Sequence, residues 1–247
     1  MTSPAAELDT ATRPPQDLTT RPWWHALGVF DLETTGIDVT GDRVVTAHVG
    51  VLDADGAIIS ATDWLADPGV DIPHGATAVH GVTTAHARTH GRDSATVVAE
   101  VIDALRALFD AGIPVVAYNA PYDFSLLKYE ALRHGIEPIL TPSPVIDPLV
   151  VDKAYDRYRK GKRTLEVVAA HYAVVLQDAH EASADAVAAG RVAQALVGRF
   201  GAQLPATLAE LHTQQISWAR AQAESLTEYF VRIGRLDADV DGSWPIR

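Results

Sequence analysis

The chain has 247 residues, of which 47% are hydrophobic and 21% charged, enough apolar side chain for one large domain or a domain with appendages. It contains no cysteine, which excludes disulfides and thiolate metal sites, and no run approaches the roughly 18–20 uninterrupted apolar residues of a membrane helix. The net charge of −12 opposes a broad polyanion-binding surface unless carboxylates hold divalent cations or the basic residues are gathered in one place. Lys153, Arg157, Arg159, Lys160, Lys162 and Arg163 are such a gathering. It suits phosphate contact and equally suits a solvated helix end and loop.

Residues 1–22 carry Pro4, Pro14, Pro15 and several threonines without an apolar h-region, the pattern of a disordered leader and not of a signal peptide. Together with the missing cysteines this fits a cytoplasmic protein. Leu27–Phe30 reads as a short buried strand ending at Asp31. Arg43–Leu52 and Ala57–Leu65 are two more strands, joined by a hairpin turn at Asp53–Gly56. A loop rich in Pro, Gly, His and Thr spans Asp67–Arg92, after which Ser94 is placed to cap an amphipathic helix running to Phe109 and ended by Gly112. Ile113–Tyr118 reads as a buried strand, and Pro121 opens a helix through Arg133 that Gly135 stops. Val145 and Ile146 form a brief strand; helical stretches follow near Leu149–Arg157, Leu165–Tyr172 and, rich in alanine, Ala182–Val197. Strands first and then alternating helix and strand predict an α/β domain with a mixed sheet. After Gly201 a long helix is expected over Leu204–Ile233, and Trp244 is placed to tuck against the body. The predicted division is a leader (1–22), a main domain (23–200) and a helical C-terminal extension (201–247) that is either a packing appendage or a face for a protein partner or self-association.

Three clusters carry the chemistry. Asp31 and Glu33 stand two apart on a strand, so both carboxylates point to one face. Burying two carboxylates is costly without a cation, and hard oxygen ligands select Mg2+ or Mn2+. Alone, the pair equally describes a polar strand end before the turn at Gly36. Asp123 falls in the first turn of a helix directly after a strand, where sites on such sheets form and where an acid also favours the helix dipole. His180 and Asp185 are five residues apart, about 140° around a continuous helix. They converge only if Asp185 is on the helix and His180 on the loop before it. A loop-borne histidine, titrating near neutral pH, can then take a proton from water.

In order, Asp31-Leu32-Glu33-Thr34-Thr35-Gly36, the segment around Asp123, and His180 with Asp185 resemble the three motifs of the DEDDh 3′–5′ exonuclease family, which includes the proofreading epsilon subunit of bacterial DNA polymerase III. The resemblance runs from about Val29 to Val197. It implies an RNase H-like fold, a mixed β-sheet flanked by helices. It also implies two divalent ions held by Asp31, Glu33, Asp123 and Asp185, and His180 as general base. The implied substrates are single-stranded 3′ ends of DNA or RNA, shortened to 5′-mononucleotides, with DNA favoured and no membrane involved. Leu32, Thr34 and Thr35 then line the terminal-nucleotide pocket through their backbone, and His80, within Thr77–Thr83, becomes a substrate contact. One departure is His74-Gly75, where many relatives place a glutamate. A phosphodiesterase of short oligonucleotides and a catalytically silent nuclease-like binding module are the alternatives.

Overall fold

The computed structural model describes residues 22–176, 180–235 and 237–247. The expected leader therefore lies, but for Pro22, outside the described residues. A short 3-10 turn at Trp23–His25 leads into β1 (Ala26–Thr34), longer than the apolar run Leu27–Phe30 suggests. The extra residues stay in the strand because β2 (Val44–Asp53) pairs antiparallel along its whole length, from Ala26 opposite Asp53 to Thr34 opposite Val44. β3 (Ile58–Asp67) adds a third antiparallel strand. The β2–β3 turn is set by Asp53, whose carboxylate accepts the N–H groups of Asp55 and Ala57, and by Gly56 at φ 77°.

The segment expected to be a loop over Asp67–Arg92 instead folds into α1 (His74–His80) and α2 (Thr84–His90). Both are too short to be stable alone, which is why periodicity does not show them. Gly81 in the left-handed region ends α1, the Thr83 hydroxyl accepts the His86 N–H to start α2, and Ile72 and Ala87 pack on Val45. After the two-residue β4 (Arg92–Asp93) comes α3 (Ser94–Asp110). Its cap is Asp93, not Ser94: the Asp93 carboxylate accepts the Thr96 N–H, and buried Ser94 is already helical. β5 is only Val115–Val116, a shorter strand than Ile113–Tyr118. It is followed by α4 (Ala120–Arg133), β6 (Val145–Ile146), α5 (Pro148–Tyr155), α6 (Leu165–His171), α7 (Ala182–Phe200) and α8 (Leu208–Arg232). α8 begins after Thr207, which forms a capping box with Glu210, so Leu204 lies outside it.

The sheet order is β4-β3-β2-β1-β5-β6, with β5 parallel to β1 and β6 parallel to β5. Alternation along central β1 divides the core. Phe30 and Leu32 point to the face covered by α3 and α4, with Val101, Leu105 and Phe124 among their neighbours. Leu27 and Val29 point to the face covered by α5, α6 and α7, joining Val151, Val168 and Val192. Asp31 and Glu33 continue this second row. No described helix is long and apolar enough to cross a membrane.

Candidate active site

α7 lies close on β1 because Gly190 has no side chain. A Cβ there would fall 2.5 Å from Val29 Cγ1 and 2.6 Å from Leu52 Cδ1. This close approach carries Asp185, in the first turn of α7, over the row Asp31–Glu33. Ligand oxygens of Asp31, Glu33 and Asp185 lie within 4.8 Å of one another. Asp123 arrives from the other side, at the start of α4. It is 3% exposed, accepts the Leu32 N–H at 3.2 Å, and sits close enough to Asp31 to raise that residue's pKa.

The placement of Asp123 depends on a residue that the motifs do not point to. Asp147 is fully buried at the end of β6 and accepts the N–H groups of Asn119 and Ala120, each at 3.0 Å. It thereby holds Asn119 in the left-handed conformation (φ 63°) from which α4 starts. Burial pushes the Asp147 carboxyl up to about 6 against the pull of these bonds. Its signal in the sequence is an Asp immediately before Pro148 at a helix start, which reads only as a cap.

Electrostatically the cluster is frustrated. Burial, followed by the negative charges of Asp123, Glu33 and Asp185, raises the pKa of Asp31 well above the usual carboxylate range. Burial, then Asp185, brings Glu33 to about 7. Burial also raises Asp123 and Asp185. Among the described residues none of the four makes an ion pair with Lys or Arg. Asp185 Oδ1 is buried without a hydrogen-bond partner. An all-oxygen set that repels itself and leaves a buried lone pair unused fits a hard divalent cation.

His180 is exposed on the segment just before α7, at φ 73°, so it is not on the helix that carries Asp185. His180, His80, His86 and Glu33 line one open cleft of about 400 Å3, with Trp64 and Glu181 in its wall. His80 Nδ1 accepts the Val82 N–H, while its Nε2 is buried without a partner, and burial lowers its pKa. His86 and Asp63 are cleft residues that no motif indicates. Leu32, Thr34 and Thr35 border the acidic cluster with buried side chains already in use. Leu32 is in the core, the Thr34 hydroxyl donates to the Gly36 carbonyl, and the Thr35 hydroxyl donates to Asp42. These three offer a ligand main chain, not side chains. The basic run also divides: Arg159 and Arg163 turn inward onto fully buried Asp152 and are not free for phosphate.

The sequence matches the RNase_T family model, described as "Exonuclease", over residues 29–193. It is 31% identical over 168 residues to a DNA polymerase III PolC-type protein of Lacticaseibacillus paracasei, covering 68% of this chain and 11% of that one. It is 34% identical over 125 residues to a DNA polymerase III subunit epsilon-like protein of Rhodobacter capsulatus, covering 50% and 16%. The chain thus spans only a small part of the length of these relatives. Among solved structures, E. coli exonuclease I in complex with a dA16 oligonucleotide superposes with a TM-score of 0.62 at 20% identity, over 72% of this chain and 42% of that one. The shared architecture is the RNase H-like mixed sheet flanked by helices.

Proposed function

The chain belongs to the RNase_T exonuclease family, and from that premise we propose that it hydrolyses nucleic-acid strands from their 3′ ends, releasing 5′-mononucleotides, with DNA the favoured polymer. The observation that carries this reading is the convergence of Asp31, Glu33 and Asp185 within 4.8 Å, with Asp123 beside Asp31 and no Lys or Arg ion pair to any of them among the described residues. Asp31, Glu33 and Asp185 would hold one divalent ion, and Asp31 with Asp123 a second. When bound, Mg2+ or Mn2+ supplies charge neutralisation at the scissile phosphate and lowers the pKa of water. His180, outside the helix and exposed, takes the proton from the attacking water on an imidazole nitrogen and can swing clear to release it. The main chain around Leu32–Thr35 and the His80 ring border the place of the terminal nucleotide. A polar, pre-shaped site of this kind needs no broad basic surface, which reconciles the function with a net charge of −12. The exposed Leu226, Tyr229 and Ile233 of the α8 region leave an apolar face for a protein partner or a second copy.

The test is cleavage of 5′-labelled single-stranded DNA and RNA in Mg2+, Mn2+ or EDTA, by this protein and by Asp31→Ala. A ladder shortening from the 3′ end, abolished by EDTA and by the substitution, is expected. Cleavage that survives Asp31→Ala would rule the mechanism out. A dinucleotide substrate in the same series separates a polymer exonuclease from a phosphodiesterase of short oligonucleotides.

A further inference from the structure

The basic run between α5 and α6 separates into an inward and an outward set. Arg159 Nη2 donates to Asp152 Oδ2 at 2.7 Å and Arg159 Nε to Asp156 at 3.0 Å. Arg163 also donates to Asp152, and to the main-chain carbonyls of Asp156 and Arg159 at 2.6 and 3.0 Å. Tyr172 Oη donates to the other Asp152 oxygen at 2.9 Å. Lys153 is half-buried on α5, and burial lowers its pKa. Arg159, Arg163 and Tyr172 are thus compensated internally and brace the loop on Asp152. Arg157, Lys160 and Lys162 are exposed and make no ion pair among the described residues. Between them Tyr158 is 88% exposed, with the Arg157 guanidinium 5.9 Å from its ring centroid.

The loop is tied to the acidic site at its C-terminal end. Tyr118 Oη donates to the Arg163 carbonyl at 2.6 Å, and Tyr118 directly precedes Asn119, the residue from which α4 and Asp123 start. Just beyond Arg163 the loop enters α6, whose Glu166 is near enough to Asp185 to help raise that carboxyl's pKa. Three outward cations and an aromatic face are thus held on a loop braced on Asp152, whose C-terminal end adjoins the elements that carry the carboxylates, on a chain whose net charge is −12. Local cations of this kind suit an anionic polymer leaving the site better than a small substrate inside it.

We propose that the α5–α6 loop is a docking strip for single-stranded nucleic acid, with Arg157, Lys160 and Lys162 on successive phosphates and Tyr158 stacked on a base. The proposal rests on the nuclease reading of the acidic site and names the path of the strand outside it. The loop would set affinity for long strands, not the chemistry at their ends.

The test is binding of 5′-fluorescein-labelled oligothymidylate, measured by anisotropy across a salt series in EDTA on the full chain carrying Asp31→Ala, so that the strand stays intact. The triple variant Arg157→Ala, Lys160→Ala, Lys162→Ala is compared with Arg199→Ala, Arg232→Ala, Arg235→Ala, which removes the same charge from exposed positions elsewhere. The loop triple is expected to flatten the slope of log Kd against log salt by about 2, from about 0.7 for each phosphate that is no longer neutralised. The control triple should leave that slope unchanged. Tyr158→Ala should raise Kd about 5- to 100-fold at constant slope, with recovery in Tyr158→Trp. Thermal unfolding of each variant shows whether it is folded. Equal slopes for the two triples, or no binding of the strand by any protein, would overturn the proposal. Failure of the nuclease reading would appear separately, as no metal-dependent cleavage by the unsubstituted protein while the slope difference persists.

Discussion

Four carboxylates share one site in which, among the described residues, a loop histidine is the only potential positive partner, and their protonation couples the site to folding. Glu33, raised by burial and by Asp185 to about 7, binds a proton in the folded chain over a range where the unfolded chain, at about 4.5, has lost it. The folded state then holds more protons, so this group's contribution declines as pH rises from about 4.5 through 7. Asp31, Asp123 and Asp185, also raised, act in the same direction. His80 and His212, whose pKa burial lowers, act oppositely, favouring the folded state as pH rises through their unfolded value. Glu33→Gln removes one carboxylate and keeps both histidines, so the difference between the two proteins reports Glu33 together with its repulsion of Asp31 and Asp123. In EDTA the Tm of the unsubstituted chain, relative to Glu33→Gln, should fall between pH 5 and pH 8, as read by calorimetry. Divalent metal requires the deprotonated carboxylates and reverses the penalty. At pH 8, Mn2+ at about 100 times its Kd stabilises by about 2.7 kcal/mol, a Tm rise of roughly 5–11 °C that should shrink at pH 5. A metal-induced shift of the same size in Glu33→Gln would remove Glu33 from the ligand set.

The site is assembled by elements meeting, and one local feature on each side of the sheet governs that meeting. Gly190 lets α7 rest on β1, and two glycines of the same helix make opposite predictions. Gly190→Ala drives a methyl into Val29 and Leu52, which should cost about 1–3 kcal/mol and lift Asp185 from Asp31 and Glu33. Gly198→Ala meets nothing within 4 Å and should stabilise the helix by about 0.5–1 kcal/mol. Urea unfolding gives both values, and metal titration followed by Tm tells whether Gly190→Ala weakens metal binding beyond its effect on folding. If Gly190→Ala is neutral in both, close helix–sheet approach does not set the position of Asp185. On the opposite side Asp147 does for α4 what Gly190 does for α7, through hydrogen bonds instead of close contact.

At the scale of the molecule, residues 201–247 finish the sheet. β6 is its last strand, and α8 supplies side chains where another strand would otherwise bond. His212 Nδ1 accepts the Val145 N–H, Gln215 Nε2 donates to the Val145 carbonyl, and Gln215 Oε1 accepts the Asp147 N–H at 2.7 Å. Gln215 is fully buried, so the polar residue that interrupts the apolar stripe of α8 is what binds the helix to the sheet edge. The tail then returns. Trp244 is buried with Nε1 near Asp147, the Arg247 N–H donates to Ser125 Oγ at 2.8 Å, and Lys128 Nζ donates to the Arg247 carbonyl. A chain ending at Gly201 leaves the main chain of Val145 and Asp147 and one side of the core uncovered. It should lose the cooperative near-ultraviolet CD melt of the full chain and aggregate on heating. A sharp melt at an unchanged Tm would show that the extension is dispensable to the fold.

Local features were legible in the residues themselves. Apolar runs placed β2 and β3 and the first half of β1, Asp53–Gly56 gave the hairpin turn, and amphipathic pattern, Pro121 with Gly135, and alanine content gave α3, α4 and α7 to within a few residues. The α/β class with a mixed sheet followed from the order of elements, and the ordered acidic motifs indicated the family. The remaining features arise from packing across the fold. α1 and α2 are too short to announce themselves and exist because Ile72 and Ala87 reach Val45. β6 is Val145–Ile146 as the residues indicate, but β5 keeps only Val115–Val116 of the expected Ile113–Tyr118, the two residues that pair with β1 and β6. Arg159 and Arg163 are inward while Arg157, Lys160 and Lys162 are outward, because a buried Asp152 lies within reach of the first two. The approach of Asp123 and Asp185 to Asp31 is set in the same way, by Asp147 and Gly190. A residue's period and cap are written in its neighbours along the chain, whereas its partner across space depends on how whole elements pack, and that is fixed only when the core closes.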